Sequence, residues 1–316
     1  MKKISIGVPC FNEEGNIEKM YDTLTEIMSK QDKYEYEIIF ADNSSTDRSQ
    51  EIIRDIAEKD KHVKAIFNST NFGPDRSTLN MIRRNGGDAY ITLACDFQDP
   101  PEMIPTFIEE WEKGHQIVWG QKNESKENPV KYALRNIYYS IIDFFSTEKQ
   151  LRQCTGFGLM SREIINDVLP RSMQDPTIAW RYLVVGEGYD IKLIPYTQQK
   201  RLHGKSSYNT SRYFDFAMNS LINTSIRPLR VVTILGIVMS VFSFLIALVY
   251  LILKLVYWEQ FNAGMAPVLI GVFFLGSIQL MCMGVIGEYI GAMMRKITPT
   301  APVIEKELLN FDDEDK

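Results

Sequence analysis

Three polar clusters in this chain could do chemistry: Asn12-Glu13, Asp42-Asn43 and Asp96. Each stands just beyond a short apolar run. Acidic side chains on separate strand ends suit magnesium, which takes one or two carboxylates from a protein and completes its shell with a substrate's phosphates and water. A second set is basic. Arg135, Lys200, Arg201 and Lys205, with Tyr208 nearby, could grip a phosphate, because charge-assisted bonds to phosphate are strong and arginine can fork onto two oxygens.

The elements that would position these groups follow from the pattern of apolar residues. Runs at 4–8, 36–41, 63–67, 89–94, 116–120 and 191–195 read as strands, and amphipathic stretches at 17–28, 49–59, 75–85 and 104–113 read as helices. Asn12 and Asp47 offer capping side chains near the first two helices. Strand and helix in alternation predict an α/β domain with a mostly parallel sheet covered on both faces. Ligands of such sheets bind beyond the carboxyl ends of the strands, where all three polar clusters fall.

The 316 residues allow one large domain and a smaller appendage. A formal charge of -5 lacks the basic footprint of a nucleic-acid-binding protein, so that partner is set aside. The start, Met1-Lys2-Lys3 and a five-residue apolar run, reads as a first strand, not a secretory signal. Cys10, Cys95, Cys154 and Cys282 are far apart, without a paired spacing, and read as buried small apolar groups in a reducing compartment.

Residues 231–253 and 265–287 contain no charge. As helices each would measure roughly 35 Å, enough to cross a bilayer core of about 30 Å. Arg227 and Arg230 precede the first and Arg295 and Lys296 follow the second, whereas the connection holds Lys254 and Glu259. The positive flanks predict that both ends face the cytoplasm, with Tyr257 and Trp258 as an interfacial anchor. Residues 213–226 could place Phe214, Met218, Leu221 and Ile222 on one helical face lying in the lipid interface.

Several motifs resemble glycosyltransferase family 2, in the branch of dolichyl-phosphate mannose synthase and bacterial undecaprenyl-phosphate glucosyltransferases. Val8-Pro9-Cys10-Phe11-Asn12-Glu13-Glu14 matches V-P-x-[FY]-N-E-E, and Asp42 to Asp47 matches D-D-G-S-x-D with Asn43 and Ser44 replacing Asp and Gly. Asn71-Phe72-Gly73 matches N-x-G, and Asp96-Phe97-Gln98-Asp99-Pro100-Pro101 matches D-L-Q-D-P-P. Arg201 to Tyr208 looks like the R-x-x-G-x-S-K-Y loop, and Ser225 to Arg230 like the stretch leading into the first span. The D-F-Q-D-P-P run is fairly specific, and the ordered set with two apolar segments is stronger than any member.

The resemblance implies a Rossmann-like nucleotide-diphospho-sugar transferase domain of GT-A type over residues 1–210. A juxtamembrane helix at 211–230, spans at 231–257 and 265–290, and a cytoplasmic tail at 291–316 complete the expected order. It also implies that Asp96 and Gln98 ligate Mg2+ or Mn2+, that Asp42 meets the base or ribose, and that backbone around Pro9 and Phe11 lines the base pocket. Asn12, Asn71 and Gly73 belong to the same donor site, and Glu13 either binds ribose or starts a helix. The basic residues would serve the lipid phosphate or the donor diphosphate. The reaction so implied is inverting transfer of a hexose from a UDP-sugar or other nucleotide sugar to polyprenyl phosphate at the cytoplasmic membrane, by a homo-oligomer among membrane lipids. Transfer to a sugar hydroxyl, or a non-catalytic nucleotide-sugar scaffold, are the alternatives.

Two positions depart from the pattern. Ala94 stands where the metal motif usually has its first acid, and Thr155-Gly156-Phe157-Gly158-Leu159 stands where G-D-F-R-L is common. A missing general base at Gly156 suits a phosphate acceptor, because a phosphate monoester is already largely dianionic at pH 7.

Overall fold

The computed structural model describes residues 1–123, 153–174, 184–185, 188–199, 227–257, 265–297 and 302–311. They divide into an α/β unit, which includes the C-terminal segment, and a separate unit holding the two apolar helices.

Among the described residues, the α/β unit contains strands β1 (Lys2–Cys10), β2 (Tyr34–Asp42), β3 (Val63–Asn68), β4 (Ala89–Thr92), β5 (Ile117–Lys122), β6 (Cys154–Ser161), β7 (Ile191–Tyr196) and β8 (Glu305–Leu309). They form one sheet in the order β7-β5-β6-β4-β1-β2-β3-β8. Strands β1 to β4 run parallel, as do β5 and β7, while β6 and β8 run antiparallel to their neighbours. The α/β class and the mostly parallel sheet are as expected, but the sheet is mixed.

Helices α1 (Ile17–Met28), α2 (Ser49–Lys59), α3 (Pro74–Arg84), α4 (Ile104–Glu112) and α5 (Arg162–Gln174) cover the sheet. Strand β2 shows how both faces are filled. Ile38 and Phe40 join Met20, Leu24 and Ile53 of α1 and α2, whereas Ile39 and Ala41 join Met81 and Ile82 of α3. That two-residue alternation is what burial on both sides requires of a central strand. Cys10 and Cys95 are buried as expected, but Cys154 and Cys282 are only half-buried.

Within the stretch expected as a tail, residues 291–316, Glu305–Leu309 forms strand β8 and belongs to the α/β unit. Four of its five residues pair with β3, across an irregularity at Lys306, and Ser69 donates its N–H to the Ile304 carbonyl at 2.9 Å. Glu305 accepts hydrogen bonds from Arg84 Nε and Nη2, at 3.0 and 2.6 Å, and from the Asn80 amide at 2.7 Å. Glu307 pairs with Arg54 at 2.8 Å. The Asn310 amide donates to the Ala57 and Val63 carbonyls at 2.6 and 2.7 Å. A charged, short strand is a common way to close a sheet edge. The acidic run at 312–315 lies outside the described residues.

Burial pushes the Glu305 carboxyl up, but Arg84, Asn80 and Arg83 together hold it below the usual carboxylate range. A carboxyl so depressed adds stability above its unfolded value, about 4, and gives it up as pH falls through the folded value. Glu305→Gln should therefore lower stability at pH 7 by about 1.5–3 kcal/mol, the range for hydrogen bonds to charged groups. The gap to the parent should close below pH 4 in paired thermal melts. A gap independent of pH would show that charge at Glu305 does not matter.

The other unit holds α6 (Arg227–Val256) and α7 (Met265–Ile297). Both are long and apolar enough to cross a membrane, with windows of mean hydropathy 2.7 and 1.5. A core helix of a soluble domain would be buried, yet neither window has buried residues, and Phe244 and Phe273 are 67% and 73% exposed. Exposed apolar surface of this extent marks an interaction site or a lipid-facing surface. Helix α6 begins at Arg227, so residues 227–230 join the first apolar helix and not a separate juxtamembrane one. Residues 211–226 lie outside the described residues.

Candidate active site

The strand order reverses between β1 and β4: the chain steps from β1 to β2 to β3 and then returns to the other side of β1. The crevice beyond that reversal is where open α/β sheets bind ligands. Loops after β1 and β4 flank it, and the loops after β2 and β3 lie alongside, since Cys10 is in register with Asp42 and Asp42 with Phe67.

Hydrogen bonds lace the β1 and β2 loops together. Asn12 donates its N–H to Ser45 Oγ at 2.9 Å and accepts the Thr46 N–H at 2.8 Å. Asn12 thus ties two loops together and does not cap α1, where no side-chain cap is seen. Asp47 does serve α2, accepting the Ser49 N–H at 3.0 Å. The Glu13 carbonyl accepts the N–H groups of Asn16 and Ile17, and its carboxylate accepts the Asn16 amide at 2.5 Å. These bonds support the helix-starting role for Glu13. Phe11 is 37% exposed at this rim, an apolar ring available to a flat base.

Asp42 is fully buried at the end of β2. Its Oδ2 accepts the Ser45 N–H at 3.0 Å and the Gln50 amide at 2.8 Å, whereas its Oδ1 has no hydrogen-bond partner among the described residues. An orphaned buried acceptor calls for an explanation, and a ligand N–H or O–H supplies one. Asn43 shows why an amide can replace the family's acid. Its Nδ2 donates to Asn71 Oδ1 at 3.0 Å while its Oδ1 accepts Asn68 Nδ2 at 3.1 Å and the Phe72 N–H at 3.0 Å. Asn71 Oδ1 also accepts the Gly73 N–H at 2.9 Å, so Asn71 and Gly73 are joined to Asp42's loop.

Left-handed backbone recurs in these loops, at Asn12 (φ 56), Ser44 (φ 64) and Phe97 (φ 59). Non-glycine residues rarely adopt it, and they cluster at functional sites when they do. Ser44 occupies the position where the family pattern has glycine.

Asp96 is buried beyond β4, and its Oδ1 accepts the Gln98 N–H at 3.0 Å. Asp99, also buried, accepts a hydrogen bond from the Tyr196 hydroxyl. Burial pushes the Asp99 carboxyl above its ordinary range, and the charge of Asp96 adds to that, against Tyr196 and Lys122. The Gln98 carbonyl accepts the Gln199 N–H at 2.9 Å, so the chain leaving β7 is fastened to this loop.

Among the described residues, no three His, Cys, Asp or Glu side chains gather as a metal site. The oxygen donors of Asp96 and Gln98 nonetheless fit a hard divalent cation that takes the remainder of its shell from a diphosphate and water. With Ala94 in the place of a further acid, the protein would supply only part of such a cation's shell.

Arg135, Lys200, Arg201, Lys205 and Tyr208 lie outside the described residues. Tyr196 and the partnership of Asp99 were not found by motif. Asp99 was a letter of D-F-Q-D-P-P, and nothing in I-K-L-I-P-Y distinguishes its tyrosine from core.

Strand β6 explains the second departure. Gly156 has φ 87 and Gly158 φ 146. A Cβ on Gly158 would come within 2.2 Å of the Val118 carbonyl oxygen and 2.7 Å of Trp119 Cα. The arginine common in the family cannot occupy this backbone.

The family model for glycosyl transferase family 2 matches residues 5–169. A bactoprenol glucosyl transferase of Shigella phage SfV is 31% identical over 290 residues, 92% of this chain and 93% of its own. An uncharacterized glycosyltransferase of Synechocystis is 30% identical over 297 residues, 93% of this chain and 92% of its own. Among solved structures, glucosyl-3-phosphoglycerate synthase from Mycobacterium tuberculosis with Mn2+, UDP-glucose and phosphoglyceric acid aligns with a TM-score of 0.48 at 16% identity. The alignment covers 70% of this chain and 79% of that one. The family match spans the loops after β1 to β4, and the chain belongs to glycosyl transferase family 2 and is a glycosyltransferase.

Proposed function

We propose that this glycosyltransferase moves a hexose from a nucleotide diphosphate sugar, UDP-glucose first among candidates, to polyprenyl phosphate at the cytoplasmic face of a membrane. The observation carrying this reading is the 31% identity to the phage bactoprenol glucosyl transferase, which extends over 92% of the chain.

The site's own residues suit each part of the reaction. The unpartnered Oδ1 of Asp42 can accept a base N–H or a ribose hydroxyl beside the Phe11 rim. Asp96 and Gln98 would hold Mg2+ or Mn2+, which when bound neutralises charge on the leaving diphosphate. A phosphate oxygen of the acceptor attacks the anomeric carbon as the bond to the diphosphate oxygen breaks, so configuration inverts and the nucleoside diphosphate departs. Since the acceptor needs no deprotonation at pH 7, orientation is the protein's main task. Lys200, Arg201, Lys205, Tyr208 and Arg135 are proposed for the phosphates.

Chain connectivity supports a paired membrane crossing. Strand β8 returns to the sheet that the chain leaves before α6. If α6 and α7 cross a membrane, two spans with both flanks on one side keep residues 199 and 302 together in that sheet.

The test offers labelled UDP-glucose with either polyprenyl phosphate or an oligosaccharide to the parent and to Gly156→Asp. Label should enter the lipid in the parent, and the added acid should give no gain, because no hydroxyl needs a base. Label entering the oligosaccharide, or a large gain with Gly156→Asp, would overturn the acceptor assignment. Cation-dependent donor binding without any turnover would favour the scaffold.

A further inference from the structure

The loop bearing Asp96 and Gln98 makes a strained turn, with Phe97 left-handed, and three bonds fasten it. Gln98's N–H closes onto Asp96 Oδ1 at 3.0 Å, its carbonyl accepts the Gln199 N–H at 2.9 Å, and Asp99 accepts the Tyr196 hydroxyl. Tyr196 is itself immobilised. It is 5% exposed, its ring meets Phe157 edge-on at 5.4 Å, and Phe157 meets Phe107 edge-on at 5.0 Å. Gly120 leaves room for that ring, since a Cβ there would lie 2.9 Å from both Tyr196 Cε1 and Phe157 Cδ1. The Tyr196 carbonyl accepts the Asn123 N–H at 2.7 Å, which fixes the strand as well as the ring. A rigid aromatic stack therefore ends in one hydroxyl, and that hydroxyl holds the carboxylate next to Gln98.

We propose that Tyr196 is a positioning residue that acts through Asp99 to keep Asp96 and Gln98 in cation-binding geometry. The proposal rests on the donor site described under the proposed function. A left-handed non-glycine residue persists only where its surroundings hold it, and a turn freed on one side relaxes toward ordinary backbone. Partners that orient metal-binding side chains typically change metal affinity by about 10- to 100-fold when removed.

Tyr196→Phe keeps the ring and its packing and removes only the hydroxyl. In the full-length protein, calorimetric titration of UDP at increasing Mn2+ should show the half-saturating Mn2+ rising at least about tenfold. UDP affinity without cation should be unchanged, because Asp42 and Phe11 are untouched. Asp99→Asn retains an acceptor and should raise the same Mn2+ requirement by a smaller factor. Unchanged Mn2+ dependence in Tyr196→Phe, with or without a lower melting temperature, would reduce Tyr196 to a packing residue and overturn the proposal. A larger loss in Asp99→Asn than in Tyr196→Phe would make Asp99 a direct ligand and overturn it equally. If the parent bound no UDP at any Mn2+ concentration, the donor site itself would fail.

Discussion

Asp96→Ala should lower sugar transfer by at least about a hundredfold, the scale seen when one stabiliser of transition-state charge is removed. It should also abolish the Mn2+-dependent part of nucleotide binding. Asp96 stands beyond β4, on one side of the crevice where the strand order reverses, and with Ala94 in the preceding acid's usual place no other carboxylate of that short motif is available. Asp99 is close, but its carboxylate is engaged by Tyr196 and raised above its ordinary range by burial. On the proposed donor site, substitution leaves Gln98's neutral amide without a carboxylate beside it to balance the cation. Transfer of labelled sugar and titration with nucleotide plus Mn2+ are the two measurements. Parent-like values in both would remove Asp96 from the chemistry and shift attention to the basic residues.

Gly158→Arg, which writes the family's common residue back into β6, should prevent folding or lower the melting temperature by more than 10 °C. This strand lies between β4 and β5, with Gly158 opposite Thr92 on one side and Trp119 on the other. At φ 146 any side chain is strained, by about 1–3 kcal/mol. The new Cβ would also meet the Val118 carbonyl oxygen at 2.2 Å, a backbone atom that cannot turn aside. Overpacking typically adds about 1–3 kcal/mol. Against a domain stability of about 5–15 kcal/mol, the sum removes a large share. A melt within 2 °C of the parent would mean that β6 can be rebuilt around a side chain.

The sheet's centre was legible because its residues obey local rules. Helices α1 and α2 fall where the amphipathic period put them, and β1, β2 and β3 each extend the apolar runs by one to four residues. The site's location followed from acids standing after those runs. Strand β6 was missed because Cys154–Ser161 contains two glycines, which depress strand propensity although here they permit close approach. Helix α5 follows it and was missed with it; Pro170 interrupts its pattern. Strand β8, Glu305–Leu309, has three charges in five residues, and its partners β3, Arg84, Asn80 and Arg54 all lie more than 200 positions earlier. The Tyr196–Asp99 bond is equally non-local, as it joins residues 97 positions apart.

Because β8 is encoded after the two apolar helices, a ribosome releases it only when both are already made. Until then β3 presents an unpaired border, the kind of surface on which chains stick to one another. Completion of the enzyme's own sheet is thus deferred until both apolar helices have been synthesised, so the catalytic unit spends that interval with an open border.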